Sequence, residues 1–318
     1  MATGDAADIN RLTFNEEAAS YDDKHRKLHE RLTRELQARL DFIGVDWASD
    51  DEDSNEEGGD DNNEKPRREV RLLDYACGTG MMSRALAPYT TQCIGMDISE
   101  EMVGAYNTRA ENQGLSREEM HAVLGDLGSE TVSDALSSPE LFNFDVAVVG
   151  GGFHHFGDPA LAAKRLVERL KPGGVLLIWD FLPHGPPHRH DQHHRGQHHH
   201  SHNEGEGHGH ADKGDEQKSH DVHHSVMHHG FSEPQMREIF TAAGAGTDFR
   251  LEVIGGGLVL ALGHGHQHQQ QGKDQSTAWS VNWEEGTETK KDKEDDKDKE
   301  TFRRQVFFAR GTKGVVGR

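Results

Sequence analysis

The chain has 318 residues, with 56 acidic against 35 basic side chains, a net charge of -21, and only 33% hydrophobic residues. So low an apolar fraction places part of the chain outside any core, and so negative a charge with no basic stripe argues against a nucleic-acid partner. Two cysteines, Cys77 and Cys93, exclude a disulfide framework, and no apolar run approaches the ~18 residues of a membrane span.

The biased tracts lie at 49–64, 184–225 and 263–300; without them roughly 220 residues remain, the size of one α/β domain. The expected organisation is a single domain over 1–318, carrying an amino-terminal helical cap at 10–45, a disordered acidic linker at 49–64, a His-rich insertion at 184–225 and a polar, charged insertion at 263–300. The amino terminus has neither the basic nor the apolar segment of a signal peptide, so a cytoplasmic protein with no membrane partner is expected.

Residues 14–43 place Leu28, Leu32, Leu36 and Leu40 at every fourth position among Lys, Arg and Glu, which predicts an amphipathic helix with one buried stripe. Segment 49–64 holds nine acids and no base, a self-repelling linker.

A strand is predicted from about Val70, ending in Leu72-Leu73-Asp74-Tyr75-Ala76-Cys77-Gly78-Thr79-Gly80, an apolar run that turns sharply into a helix through two glycines. In an open parallel sheet such a turn lies at the ligand-binding rim, and glycine lets backbone approach a ligand closely. The dinucleotide fingerprint requires G-x-G-x-x-G, but here Gly78 and Gly80 are followed by Ser83. A second strand ends in Asp97, 23 residues after Asp74, the offset at which an acid meets ribose hydroxyls. Cys77 within the turn is either a reactive thiol at a helix amino terminus or a packing residue.

Ser99 is the expected N-cap of the next helix, Met120 to Leu124 a third strand delivering Asp126, and Phe144 to Val149 a fourth. The fourth runs into Gly150-Gly151-Gly152-Phe153-His154-His155, where the two imidazoles either transfer protons or serve as caps and structural contacts. Asp158-Pro159 opens a helix that ends at Lys171-Pro172-Gly173-Gly174, and Val175 to Trp179 is a fifth strand leading to Asp180. Asp180 is either a group that orients or deprotonates an acceptor or a solvated loop acid. Ser232 caps a helix running to Ala243, Phe249 to Ile254 is strand six, and Phe302 to Arg310 is strand seven, their hairpin interrupted by 263–300.

The ordered motifs LDYACGTG, IGMDIS, Gly125-Asp126-Leu127, FDVAVV with His154-His155, and LKPGGVLLI together resemble the class I S-adenosylmethionine-dependent methyltransferases, in particular the ubiquinone- and menaquinone-biosynthesis branch. Ala76 stands where that family's turn has its first glycine. The resemblance implies a Rossmann-like α/β fold, a seven-stranded, mostly parallel sheet with one antiparallel member and helices on both faces. It also implies S-adenosylmethionine as cofactor and a small-molecule O, N or C nucleophile as acceptor. Its cofactor contacts map onto Asp74, Ala76, Gly78, Thr79 and Gly80 for the methionine end, Asp97 and Ile98 for the ribose, and Asp126 with the Leu127 amide for the adenine. His154, His155 and Asp180 become catalytic candidates, and Tyr21, His228 and His229 candidates for closing or shaping the pocket. Two other functions stay open: a non-catalytic relative of the family, and a metal-handling protein.

Residues 184–229 hold 16 of the 24 histidines. Imidazole is a good ligand for Zn, Cu and Ni, but such a tract has no fixed geometry, so adventitious divalent metal and no built metal site is the expectation.

Overall fold

The computed structural model describes residues 3–48, 68–183, 225–262, 279–283 and 301–315. The acidic linker, nearly all of the His-rich tract and most of 263–300 lie outside the described residues.

The chain opens with α1 (Thr3–Glu17), α2 (Tyr21–Gln37) and the single turn α3 (Leu40–Ile43). The expected continuous helix over 14–43 is thus broken at 18–20 and preceded by a helix that the leucine spacing does not reveal. Within α2 the stripe behaves as its period dictates: Leu32 and Leu36 are fully buried, while Leu28 and Leu40 pack partly exposed against the same core.

The rest alternates strand and helix: β1 (Arg71–Tyr75), α4 (Met81–Leu86), β2 (Gln92–Asp97), α5 (Glu100–Asn112), β3 (Met120–Leu124), β4 (Phe144–Gly150), α6 (Pro159–Arg169), β5 (Leu170–Phe181), α7 (Glu233–Ala243), β6 (Thr247–Leu262), β7 (Trp279–Trp283) and β8 (Thr301–Thr312). Helix starts are set by side chains that accept from exposed amides: Ser99 from Met102, Asp158 from Leu161, and Ser232 from Gln235 in a capping box. The strand order is β3-β2-β1-β4-β5-β8-β6-β7. β1 to β5 pair in parallel, and β8 inserts antiparallel between β5 and β6.

Seven strands take the expected arrangement, and one departs from expectation. β7 lies within the segment read as insertion and adds an eighth, antiparallel edge strand beside β6. Its sequence, Trp279-Ser280-Val281-Asn282-Trp283, alternates apolar and polar residues at period two, a strand signal hidden by the charged residues around it. β5 is also longer than expected, because the Lys171 to Gly174 turn is drawn into the ladder with a register shift against Phe144 and Val146.

Both faces of the sheet are covered, so its central strands are apolar on both sides. Leu73, Ala147, Leu176 and Phe307 face α6 and α7, and Leu72, Val148, Leu177 and Phe308 face α2, α4 and α5. Strand order reverses between β1 and β4, where an open α/β sheet leaves a crevice at the carboxyl ends of its strands. Among the described residues no helix is long and apolar enough to cross a membrane.

Candidate functional site

The crevice is floored by the turn after β1. Its backbone is left-handed at Ala76 (φ 52°), Gly78 (φ 50°) and Gly80 (φ 91°). The two glycines serve different ends. A Cβ at Gly80 would stand 2.7 Å from the Tyr106 ring, so packing demands glycine there; a Cβ at Gly78 would meet no atom within 4 Å, so its open side faces the crevice. Ala76 holds the same left-handed conformation with a side chain, at a cost of roughly 1–2 kcal/mol. Cys77 is buried and its thiol is pushed well above the ordinary range by that burial, so it packs and does not react.

Asp74, the penultimate residue of β1, is almost fully buried. One carboxylate oxygen accepts from the Ser83 amide (3.1 Å) and hydroxyl (2.7 Å), while Oδ1 has no partner among the described residues. Burial, outweighing the Ser83 bonds, raises its pKa to about 7. A buried carboxylate oxygen left unpaired beside an open glycine turn suits a cationic ligand group.

Asp97, ending β2, accepts from the Gly78 amide at 2.8 Å and the Ser99 amide at 2.9 Å, which ties the two strand ends together. Burial raises its pKa, opposed by the amides of Ser99, Gly78 and Ile98. Each oxygen keeps a second lone pair. Asp126 accepts from the Gly128 amide (2.7 Å) and the Tyr75 hydroxyl (3.3 Å), and that hydroxyl in turn accepts from the Leu127 amide at 3.0 Å. All four strand-end acids, Asp74, Asp97, Asp126 and Asp180, thus lie at one rim.

Distant in sequence, His154 and Asp180 meet there. The His154 Nδ1 lies 3.0 Å from Asp180 Oδ1, and the carboxylate also accepts from the His154 and Phe181 amides. With Nδ1–H donating to the carboxylate, the neutral ring keeps Nε2 as an acceptor. His155 turns away: its Nδ1 lies 2.9 Å from the Ser225 carbonyl, its ring meets Phe14 edge-on at 5.2 Å, and burial holds its pKa well below the imidazole range. His228 ties the Ser225–Gly230 loop to the same turn, its amide donating to the His154 carbonyl (3.0 Å) and its Nε2 lying 3.1 Å from the Phe156 carbonyl. His229 is exposed beside it.

The amino-terminal helices sit directly on the turn. Tyr21 and His29 line, with Asp74, Gly78, Met82 and Trp179, a cavity of about 60 Å³. Ligand pockets run to ~300 Å³ and more, so with α2 in this position the cavity is too small for a nucleoside. A larger cavity of about 400 Å³, between Lys164, Ala243 and Lys313, contains none of the candidate residues.

The group that fastens this cover is Asp22, which the resemblance places with Tyr21 in the closing segment without giving it a role of its own. Asp22 accepts from the Thr79 hydroxyl and pairs with Arg109 of α5 at 2.6 Å. Its fastening role is not readable from the sequence, because its partners come from two other elements. Asp22→Ala is expected to speed amide exchange through residues 21–29 and cofactor dissociation by roughly three- to tenfold, as two partly exposed charge-assisted bonds are lost. Unchanged exchange in that variant would mean that the helix is held by its leucine stripe alone. His29, pushed down to about 4 mainly by burial, Trp179 and Arg84, whose guanidinium donates to the Thr79 carbonyl, are further site residues that sequence did not indicate. Among the described residues no cluster of His, Cys, Asp and Glu could hold a metal ion.

A family model described as "Methyltransferase domain" matches residues 26–247. An uncharacterized methyltransferase of Schizosaccharomyces pombe is 32% identical over 114 residues, covering 36% of this chain and 39% of that protein. A ubiquinone biosynthesis O-methyltransferase of Leptothrix cholodnii is 28% identical over 113 residues, covering 36% of this chain and 43% of the relative. The alignments therefore span about two fifths of these relatives' length. The solved YcgJ protein of Bacillus subtilis superposes with a TM-score of 0.44 at 17% identity, over 78% of this chain and 93% of that one.

Proposed function

We propose that this chain, which belongs to the methyltransferase-domain family, transfers the activated methyl group of S-adenosylmethionine to a small-molecule nucleophile at the β4 and β5 end of the crevice. S-adenosylmethionine, the family's cofactor, supplies when bound a methyl group on a sulfonium, whose positive charge disperses as the methyl leaves. The reading is carried by one observation above others: the unpartnered, buried Asp74 Oδ1 beside the open side of Gly78. An ammonium fits that position, and the glycine leaves room for it.

The remaining residues align, exclude water and take a proton. Asp97 and Asp126 offer further acceptors along the rim for a nucleoside's hydroxyls and adenine. Phe14 and Tyr21, an edge-on pair at 6.5 Å, cover the turn, and desolvation of this kind favours a displacement that spreads charge. His154, oriented by Asp180, receives the proton of an O–H or N–H acceptor at Nε2; the proton then leaves to solvent.

The testing experiment is a calorimetric titration with S-adenosylmethionine and, separately, with NAD. Stoichiometric binding of the first and none of the second is expected. Because the free Asp74 carboxyl titrates at about 7 and an ammonium holds it ionised, affinity should rise from pH 5.5 to 7 by about tenfold or more, with proton release. The sign is opposite for the free protein, where the raised pKa gives stability below the ordinary carboxylate range that is lost as pH rises through about 7. Asp74→Asn should flatten the affinity profile. Absence of S-adenosylmethionine binding, or preference for NAD, would sink the reading.

A further inference from the structure

The proposed reaction leaves one cation at the rim without a task. Arg304 lies on β8 two residues before Val306, on the strand face whose next members, Val306 and Phe308, are fully buried. Its guanidinium carbon stands 5.4 Å from the centroid of Phe181. The Phe181 ring in turn lies 6.0 Å from Trp179 and 5.3 Å from His154. Because Trp179 also lines the cavity at Asp74 and Gly78, a continuous aromatic wall runs from the cofactor turn past the His154–Asp180 pair to Arg304.

Arginines buried or half-buried elsewhere in the sheet region tie backbone together. Arg310 donates to the carbonyls of Ile43 (3.0 Å) and Asp248 (2.9 Å), Arg169 to that of Leu136 (3.1 Å), and Arg165 to that of Leu127 (2.8 Å). Arg304 is half-buried, yet its guanidinium makes no hydrogen bond or ion pair among the described residues and stacks on Phe181. Burial lowers its pKa, and the negative charge of Asp180 opposes that without touching it. A guanidinium partly removed from water, with no partner for its fork among the described residues, is costly unless something else completes it.

Resting on the function proposed above, we infer that Arg304 selects the methyl acceptor by its charge: the acceptor carries a carboxylate that takes the guanidinium fork, while a planar body lies along Phe181 and Trp179. A carboxylate matches the fork in two parallel bonds, whereas a lysine would offer only a point charge. One negative charge is what the place accommodates. Arg304 is a single cation and Asp180 lies close behind Phe181, so a phosphate dianion would leave one more negative charge unbalanced there than a carboxylate does.

The test uses the full chain loaded with S-adenosylhomocysteine, titrated with benzoate and with its neutral isostere benzamide, and repeated without the nucleoside. Benzoate is expected to bind about tenfold more tightly than benzamide. Arg304→Gln should lose that preference by weakening benzoate alone, and Arg304→Lys should keep part of it. S-adenosylhomocysteine affinity and the melting temperature should change little in either variant. Equal binding of the two probes, no benzoate binding, or an Arg304→Gln effect shared equally by both probes would overturn the inference. Failure of S-adenosylhomocysteine to bind would instead count against the proposed function, since the benzoate preference is read without it as well.

Discussion

Replacing Gly78 by alanine is expected to weaken S-adenosylmethionine binding by roughly ten- to hundredfold while the protein stays folded. The left-handed backbone at this position, φ 50°, charges an alanine roughly 1–2 kcal/mol, as it already does at Ala76 in the same turn. Beyond that strain, the added methyl meets no protein atom within 4 Å, so the fold gives it room. That room is where backbone and Asp74 Oδ1 would receive the cofactor, and forcing a methyl into an occupied, well-packed space costs about 1–3 kcal/mol. Gly173→Ala separates the two terms. Gly173 is also left-handed, at φ 81°, with nothing within 4 Å of its Cβ, but it lies at the start of β5, at the opposite end of the sheet from the turn. Both variants should lower the melting temperature by similar amounts, and only Gly78→Ala should change the calorimetric affinity. Equal affinities in the two would show that the turn does not cradle the cofactor.

The largest kinetic effect is expected at His154. His154→Ala should reduce methyl transfer by ~10²–10⁴-fold, the range in which a positioned base contributes, with S-adenosylmethionine affinity within about twofold of the parent. Asp180→Asn should act in the same direction, because it removes the carboxylate that holds Nδ1–H and so selects the tautomer. Incorporation of labelled methyl from S-adenosylmethionine into small molecules of a cell extract reads both. His155 should behave differently. Its ring is committed to the Ser225 carbonyl and to Phe14, and burial keeps it neutral, so the fold loses stability as pH falls below about 6.5. His155→Gln should therefore shift the acid limb of unfolding more than the rate. Full activity in His154→Ala, with loss in His155→Gln, would exchange the two assignments.

What the sequence alone determined follows from short-range physics. Apolar runs closed by acids, glycines at a turn and good N-caps placed β1 to β5 and the helices between them, and put Asp74, Asp97, Asp126 and Asp180 at the carboxyl ends of their strands. A parallel sheet then brings those ends to one rim whatever else the chain does, which is why the positions of these acids in the candidate site were legible. The tertiary structure decided everything that depends on which elements touch. Only packing shows that Asp180 turns to His154 and not to His155, its neighbour in the chain and the same residue type. Only the approach of α2 to the turn makes a fastening of Asp22, Thr79 and Arg109, and only the insertion of β8 between β5 and β6 brings Arg304 to Phe181. Side-chain direction at a loop or a strand end is set by partners far away in the chain, and no periodicity within a window of the sequence carries that information.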